Sequence, residues 1–525
     1  MKKVFISVLA GLMISAQLLA VSVKDVCGQF NGDLNIGGKA YPNRAVYLLP
    51  GTVDNSVTFV LPDFIYNAGK LGNIVLPNIP MSESGQLTLN KATLYLDSIS
   101  ERATITIVND LKDGDVVYNS IVTATEAQVV LQIAAQSLKE DIYVLFQGKA
   151  ADQANYALVN GGFEGDWVES EPQGWHSFNS ATGGYVDYIR NDYQFIQSDM
   201  VRPGSKGVHS ALLSSTMALG IAANGNCTNG QINAGSKTPD DPERNYNFSD
   251  PANEGFNTPF NGRPDSVVFW AKYLPADRDY TKDDNQARLN VVITTNARYQ
   301  DPEKDNNFAD VRIGAATLNY SATSDFSWQR LTVPFNYETA NLDKEPAYIL
   351  TTFTTNKTPG GGTSYTDTTG GIFNKVKVNV LDTVYLDDVE LIYNKSLQQF
   401  SLDGEALSFD RHIATVEDDY CDDCAKFAAV GNGVSSQTFI GFDADQRCIF
   451  IYVIADDYAQ SRAYNLYRVD FADSDIKNPE PIDNPDEAID NVSVQTVRFE
   501  KVMVNGQLLL RSGNVIYNLM GVRLQ

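Results

Sequence analysis

The sequence predicts an all-β protein built of several consecutive units, and three observations carry that expectation. Alternation with a period of two recurs along the chain, as in NSVTFVLPDF (55–64), RLNVVITTNA (288–297) and RCIFIYVIAD (447–456), runs crowded with Thr, Val, Tyr and Ile. Clusters of Gly, Pro, Asn and Asp separate the runs, as turns require. Helical periodicity is nearly absent, and the best candidate, TEAQVVLQIAAQSLKE (125–140), reads as a strand plus a turn or as one short helix. At roughly 100–200 residues per domain, a chain of 525 residues divides into about three or four.

The first element is not part of the fold. Residues 1–20, MKKVFISVLAGLMISAQLLA, place two lysines before an apolar run that ends in small residues, which is the pattern of a secretory signal peptide cut near Ala20–Val21. Cys27, in VKDVCGQF, lacks the apolar-small-small approach of a lipid-anchored cysteine. No later stretch reaches the ~18 uncharged apolar residues of a bilayer-spanning helix. The chain is therefore expected to be exported, to the periplasm, the cell surface or the medium, with no transmembrane segment. Acids outnumber bases 65 to 40, a formal charge of −25. That balance argues against a nucleic-acid partner and against anionic lipid, since both need a positive footprint.

Residues 27–150 form a first β unit without tryptophan. Within AVYLLPGTVDNSVTFVLPDFIYNAGKLGNIVLPNIPM, Gly51, Thr58, Phe64, Gly72, Asn73, Ile74 and Pro77 resemble the calycin-like barrel domain of secreted Bacteroidetes proteins. That resemblance implies a small antiparallel barrel, either holding a small ligand in its mouth or filled by its own side chains.

Residues 156–396 hold all four tryptophans, Trp167, Trp175, Trp270 and Trp328. The opening YALVNGGFEGDWVESEPQGWHSF (156–178) resembles the entry strand of sugar-binding jelly rolls, and VLDTVYLDDVELIYN (380–394) resembles their exit strand. With GSKGVHSALLSS (204–215) and FSWQRLTVPFNY (326–337) between them, the span is similar to the carbohydrate metabolism domain of gut Bacteroidetes, a family whose own function is inferred. The resemblance implies a jelly-roll β-sandwich and a carbohydrate, without naming a reaction. It also makes the first and last strands neighbours, bringing Glu164 towards Asp387 and Asp388. Calcium takes six to eight oxygens, carboxylates among them, so these three acids are a candidate structural Ca2+ site; the alternative is a capped strand end with solvated acids.

Trp270 and Trp328 lie in alternating strands and are expected in the core. Trp175 stands near a loop, followed by GGYVDYIRNDYQF (183–195). Aromatic faces stack on the apolar C–H faces of sugar rings, while Asn, Asp and Arg bind the hydroxyls. Trp175, Tyr185, Tyr188, Arg190, Asn191, Asp192 and Tyr193 are therefore the candidate ligand-binding set; the competing reading is two ordinary strands with core tyrosines. Glycoside hydrolysis needs two carboxylates at a set separation, and no pair stands out among so many acids. Neither G-x-S-x-G nor H-E-x-x-H occurs. Binding is placed above catalysis, and no catalytic residue is singled out.

Residues 398–473 resemble a small immunoglobulin-like sandwich, closing on IYVIADD and AYNLYRVDF. Cys421-Asp-Asp-Cys424 has the spacing of a redox or zinc motif. The surrounding acids raise thiol pKa and disfavour redox chemistry. His412, Cys421, Cys424 and Cys448 would make a Cys₃His zinc set, but a disulfide from Cys448 to one of the pair, or free thiols, is preferred. Residues 474–496 read as an acidic, proline-containing linker. The tail 497–525 resembles the C-terminal sorting domains of Bacteroidetes secreted proteins through Asn505-Gly506, Gly513 and Tyr517-Asn518-x-x-Gly521, which would make secretion machinery or the cell surface its partner. The fold expected is thus a calycin-like β-barrel followed by a jelly-roll β-sandwich and a small immunoglobulin-like sandwich. The function expected is glycan binding in support of polysaccharide use; the alternatives are a glycan-cleaving enzyme on the jelly roll and a structural or adhesive surface protein.

Overall fold

The computed structural model describes residues 20–517 apart from 67–68, 90, 97–100, 136–140, 152–154, 169–170, 305–306, 361–363, 370–375, 417–426, 444–446, 472–499, 505–506 and 513–514. The signal peptide, the acidic linker, Cys421 and Cys424 lie outside the described residues, as does most of the sorting-like motif. The chain is nearly all β, as the alternation predicts. The ambiguous stretch after Thr125 resolves as the strand Glu126–Ala134.

The first unit is one antiparallel sheet. Its strands run in the order Gly69–Pro80, Ser56–Tyr66, Lys39–Pro50, Gly28–Ile36, Ile142–Ala150, Glu126–Ala134, Glu101–Ile107 and Ala92–Leu96. The sheet curls until the two end strands touch, giving the barrel. Alternate residues point inward, so Phe30, Leu34, Phe59, Leu61, Phe64 and Phe146 pack with their neighbours into one buried cluster that fills the interior.

The second unit is a sandwich of two five-stranded sheets. One runs Phe195–Ser198, Ser210–Ser214, Thr383–Ile392, Ser266–Leu274, Gln329–Pro334; the other runs Asn226–Thr228, Tyr348–Thr354, Gln286–Thr294, Arg312–Ser321, Asn336–Tyr337. Val267, Phe269, Ala271 and Tyr273 of the first sheet meet Cys227, Leu289, Val291 and Phe353 of the second in a shared core. This corrects one expectation. With those four residues inward, the period of two turns Trp270 to the outer face of its sheet, half-buried, with the Arg202 guanidinium 5.2 Å from its ring. Trp328 is likewise half-buried, edge-on to Tyr385 at 6.3 Å.

The third unit pairs a three-stranded sheet (Glu405–Ala406, Leu397–Leu402, Phe427–Gly431) with a four-stranded one (Ile413–Val416, Asn465–Phe471, Cys448–Ile454, Gln437–Asp443). Every residue of Cys448–Ile454 and Asn465–Phe471 is buried, because both faces of this sheet are covered. One face, with Ile449, Ile451 and Val469, packs on Phe400 and Leu402. The other, with Phe450, Tyr452 and Leu466, packs on Tyr47, Leu49, Val60 and Val75 from the outside of the barrel. Tyr452 and Thr58 share a hydroxyl hydrogen bond of 2.9 Å, and the Tyr458 hydroxyl donates to the Leu48 carbonyl at 2.8 Å. The same unit grips the sandwich. The Asp265 carboxylate of the sandwich accepts from the backbone N–H of Val434, and Asp456 accepts from that of Arg263. Residues 500–517 contribute a three-stranded antiparallel meander, Glu500–Val504, Gln507–Ser512 and Val515–Tyr517.

Candidate functional site: an asparagine-rich cleft on the sandwich

Strand alternation builds a polar floor on the outside of the second sheet. In Gln286–Thr294, Leu289 and Val291 face the core, which turns Arg288 and Asn290 outward. In Tyr348–Thr354, Ile349 and Phe353 face the core, which turns Thr352 and Thr354 outward. The register aligns Asn226, Thr354 and Arg288 in one row across three strands, and Thr228, Thr352 and Asn290 in the next.

Walls rise on three sides of this floor. The hairpin Gln231–Ala234/Asn245–Ser249 supplies Asn233, Asn245, Tyr246 and Asn247. The hairpin Thr216–Ala218/Ile221–Ala223 supplies an apolar edge, Ala218, Leu219, Ile221 and Ala223. Tyr185 and Tyr188 come from the single turn Val186–Ile189 and its N-cap. Gly183 sets the place of that turn. Its φ is +111°, and a Cβ there would stand 2.4 Å from the backbone of Ala234. The close approach lets the Tyr185 N–H reach the Ala234 carbonyl at 2.9 Å. The cleft so enclosed has a volume of about 210 Å³.

Its electrostatics are nearly self-contained. Asp301 is the sole carboxyl among the described lining residues. Burial pushes its pKa up, and the Arg288 guanidinium, 3.9 Å away, and the Asn290 amide oppose that rise. Several polar atoms around the floor have no hydrogen-bond partner in the protein: Oδ1 of Asn224, Asn226 and Asn247, and Nε of Arg288. Asn247 is only 5 % exposed. The amide of Asn224 cannot simply be reversed, since its Nδ2 donates to the carbonyls of Asn356 (3.2 Å) and Thr358 (3.0 Å). Such groups are uncommon in a folded protein and call for a partner.

The ligand-binding set read from the sequence is divided by the structure. Tyr185 and Tyr188 line the cleft, and Tyr188 is 59 % exposed. Asn191 and Tyr193 border a separate depression with Thr216 and Arg278. The Asn191 amide donates to Thr216 and accepts from the Tyr193 N–H, a turn-forming role. Arg190 and Asp192 are exposed and line neither. Trp175 is corrected outright. It is fully buried between Phe163 and Phe353, and its indole N–H donates to the carbonyls of Val159 and Asn160, so it has no face for a ligand.

The three acids assigned to calcium do become neighbours in the fold, for the Val389 N–H donates to the Gly161 carbonyl. One oxygen of each, however, serves the protein's own donors, while Oδ1 of Asp387 is buried without a hydrogen-bond partner. Glu164 accepts from the N–H of Val208 and His209; Asp387 accepts from the N–H of Arg202, and Asp388 pairs with its guanidinium at 2.5 Å. Among the described residues no group of three or more His, Cys, Asp or Glu is disposed to hold a metal ion. Of the zinc set, His412 stacks on Tyr467 and Cys448 is buried; the other two members lie outside the described residues.

What sequence reading missed is the floor. Its signal was present in NGNCTNGQINAG (224–235), where Asn alternates with apolar or small residues. Composition alone could not separate Asn226, which faces the cleft, from Asn229, whose amide is spent on the backbone of Ile349 and Thr351.

No protein-family model matches this chain, and no curated protein matches it. Among solved structures it is similar to an arabinose-bound α-L-arabinofuranosidase at 11 % identity and a TM-score of 0.23, over 46 % of this chain and 27 % of that one. It is similar to a "putative outer membrane protein" from Bacteroides fragilis at 16 % identity and a TM-score of 0.15, over 24 % of this chain and 52 % of that one. It is also similar to carbohydrate-binding modules of the β-sandwich superfamily at 9 % identity and a TM-score of 0.20, over 58 % of this chain and 99 % of that one. The chain spans about a quarter of the arabinofuranosidase and half of the outer membrane protein. At these scores none of them assigns a function.

Proposed function

We propose that this protein binds glycan, in the cleft on the outer face of the sandwich, in support of polysaccharide use by an exporting cell. The observation that carries the reading is the lining: two rows of amide, hydroxyl and guanidinium groups under a wall of tyrosine. Amides and hydroxyls match sugar hydroxyls, and Tyr185 and Tyr188 offer aromatic faces to the C–H side of a ring. Two of the similar structures are named for carbohydrates, but the proposal rests on the cleft. Hydrolysis is the second reading. It needs a pair of carboxyl groups across the scissile bond, and Asp301 has no carboxyl counterpart among the described lining residues.

The test is a glycan-array screen of the full chain, with product analysis and with and without calcium. Retention of a glycan without release of product, lost in Tyr188→Ala, supports binding. Release of shorter sugars would replace it with hydrolysis, and no retained glycan would return the molecule to a structural or adhesive role. Calcium dependence examines the metal expectation at Glu164, Asp387 and Asp388 separately from the cleft.

A further inference from the structure

Resting on that reading, we infer that the cleft selects a neutral, hydroxyl-rich sugar unit and discriminates against its acidic counterpart, the uronate. Hydrogen bonds left unmet on the floor set what a ligand must supply. Of the unpartnered atoms, Oδ1 of Asn224, whose amide is held in place by two carbonyls, is an acceptor, and Nε of Arg288 is a donor. A ligand that completes this set must bring a donor as well as an acceptor to the floor. Sugar hydroxyls do both, one donating to the Asn224 oxygen while another accepts from Arg288. An ionised carboxylate only accepts, so against the Asn224 oxygen it would meet lone pairs with lone pairs.

Charge favours the same ligand. Among the described lining residues the acidic and basic side chains are Arg288, Asp301, Lys237 and Lys357. Arg288 faces the buried Asp301 carboxyl at 3.9 Å. To turn the guanidinium onto a ligand carboxylate would strip a buried acid of its counter-charge, which costs more than the new pair returns. Lys357 is held at the rim by Asp283, 3.0 Å away, with Asp284 at 3.9 Å. Lys237 is exposed, where water screens its charge. The interior of the cleft is thus close to neutral, in a chain whose overall charge of −25 repels anions at long range.

The apolar edge favours it too. Ala218, Leu219, Ile221 and Ala223 put aliphatic carbon along one wall. An uncharged ring with an apolar C–H side can lie against that wall without desolvating an ion.

Matched pairs test the inference on the full-length protein: mannan against polymannuronate, methyl galactoside against methyl galacturonide, and methyl glucoside against methyl glucuronide. Each pair differs by a hydroxymethyl group exchanged for a carboxylate. The expected result is that the neutral member of at least one pair binds tenfold or more tightly than its acid, with an affinity that changes less than about twofold between 50 and 500 mM salt. Equal affinity, or a preference for the acid that fades with salt, overturns the inference and leaves glycan binding in place. No binding to any member, confirmed on a full array, overturns both. Asn247→Leu is expected to weaken the neutral ligand at least tenfold; its melting curve shows whether the loss is local. If it does not fold, the wild-type pairs still decide.

Discussion

At the scale of single residues, Trp175 shows why a motif can be read well and its side chain misplaced. The aromatic, glycine-rich stretch from 156 to 178 is distinctive, but distinctiveness does not say whether a ring points inward. Trp175 is fully buried with both of its N–H acceptors on the backbone. Trp175→Ala is expected to cost about 3–5 kcal/mol, read as a fall in the urea midpoint. Unchanged stability would contradict the packing described. Tyr188, chosen for the same stacking chemistry, does reach the surface, at 59 % exposed. Gly183→Ala makes a different prediction. The residue sits at φ +111° against Ala234, so the added methyl group should push the Tyr185–Tyr188 wall off its strand. Glycan affinity should fall more than fivefold in a protein that still melts cooperatively.

At the scale of elements, one strand separates folding from binding. In Gln286–Thr294 the inward Leu289 belongs to the core and the outward Arg288 belongs to the cleft. Leu289→Ala should cost about 2–5 kcal/mol and leave the order of glycan preference unchanged. Asn226→Ala, on the paired sheet edge, should change stability by less than about 1 kcal/mol and weaken glycan binding; paired calorimetric and binding measurements check both. The strands themselves were easy to read, because a period of two survives any tertiary context. The cleft was not, because its rows cross three strands that are distant in sequence, Asn226, Thr354 and Arg288. Registers of that kind are fixed by turns and core packing. The same limit explains Trp270, where alternation was visible but the inward parity was not.

For the whole molecule, the third unit is a clasp between the other two. Asp456 sits at its contact with the sandwich, where burial raises its pKa to about 6 against the pull of Arg263; the neighbouring Asp457 and Glu345 add to the rise. A carboxyl whose folded pKa lies above its unfolded one stabilises the fold while it is protonated. That contribution is complete below about pH 4 and is lost as the pH climbs through about 6. Asp456→Asn keeps the acceptor for the Arg263 N–H and cannot ionise. It should therefore be more stable than the wild type at pH 7.5, by about 2–3 kcal/mol, with the difference gone near pH 4. A constant difference across that range would rule out ionisation of Asp456 as its cause. Tyr458→Phe removes the hydrogen bond to the Leu48 carbonyl and should cost about 1 kcal/mol, seen in calorimetry as an earlier loss of the barrel–clasp contact.

The clasp also sets an order of events in time. The outward barrel residues Tyr47, Leu49, Val60 and Val75 are made early in translation, but the residues that cover them, Phe450, Tyr452, Tyr458 and Leu466, follow some four hundred positions later. A ribosome adding roughly 5–20 residues per second therefore leaves a sticky patch uncovered for tens of seconds. A nascent chain in that interval has a folded barrel with nothing on one flank, and is at its most prone to association. Premature stop codons anywhere between the sandwich and residue 466 would make that passing state permanent. They should yield aggregates rather than soluble fragments.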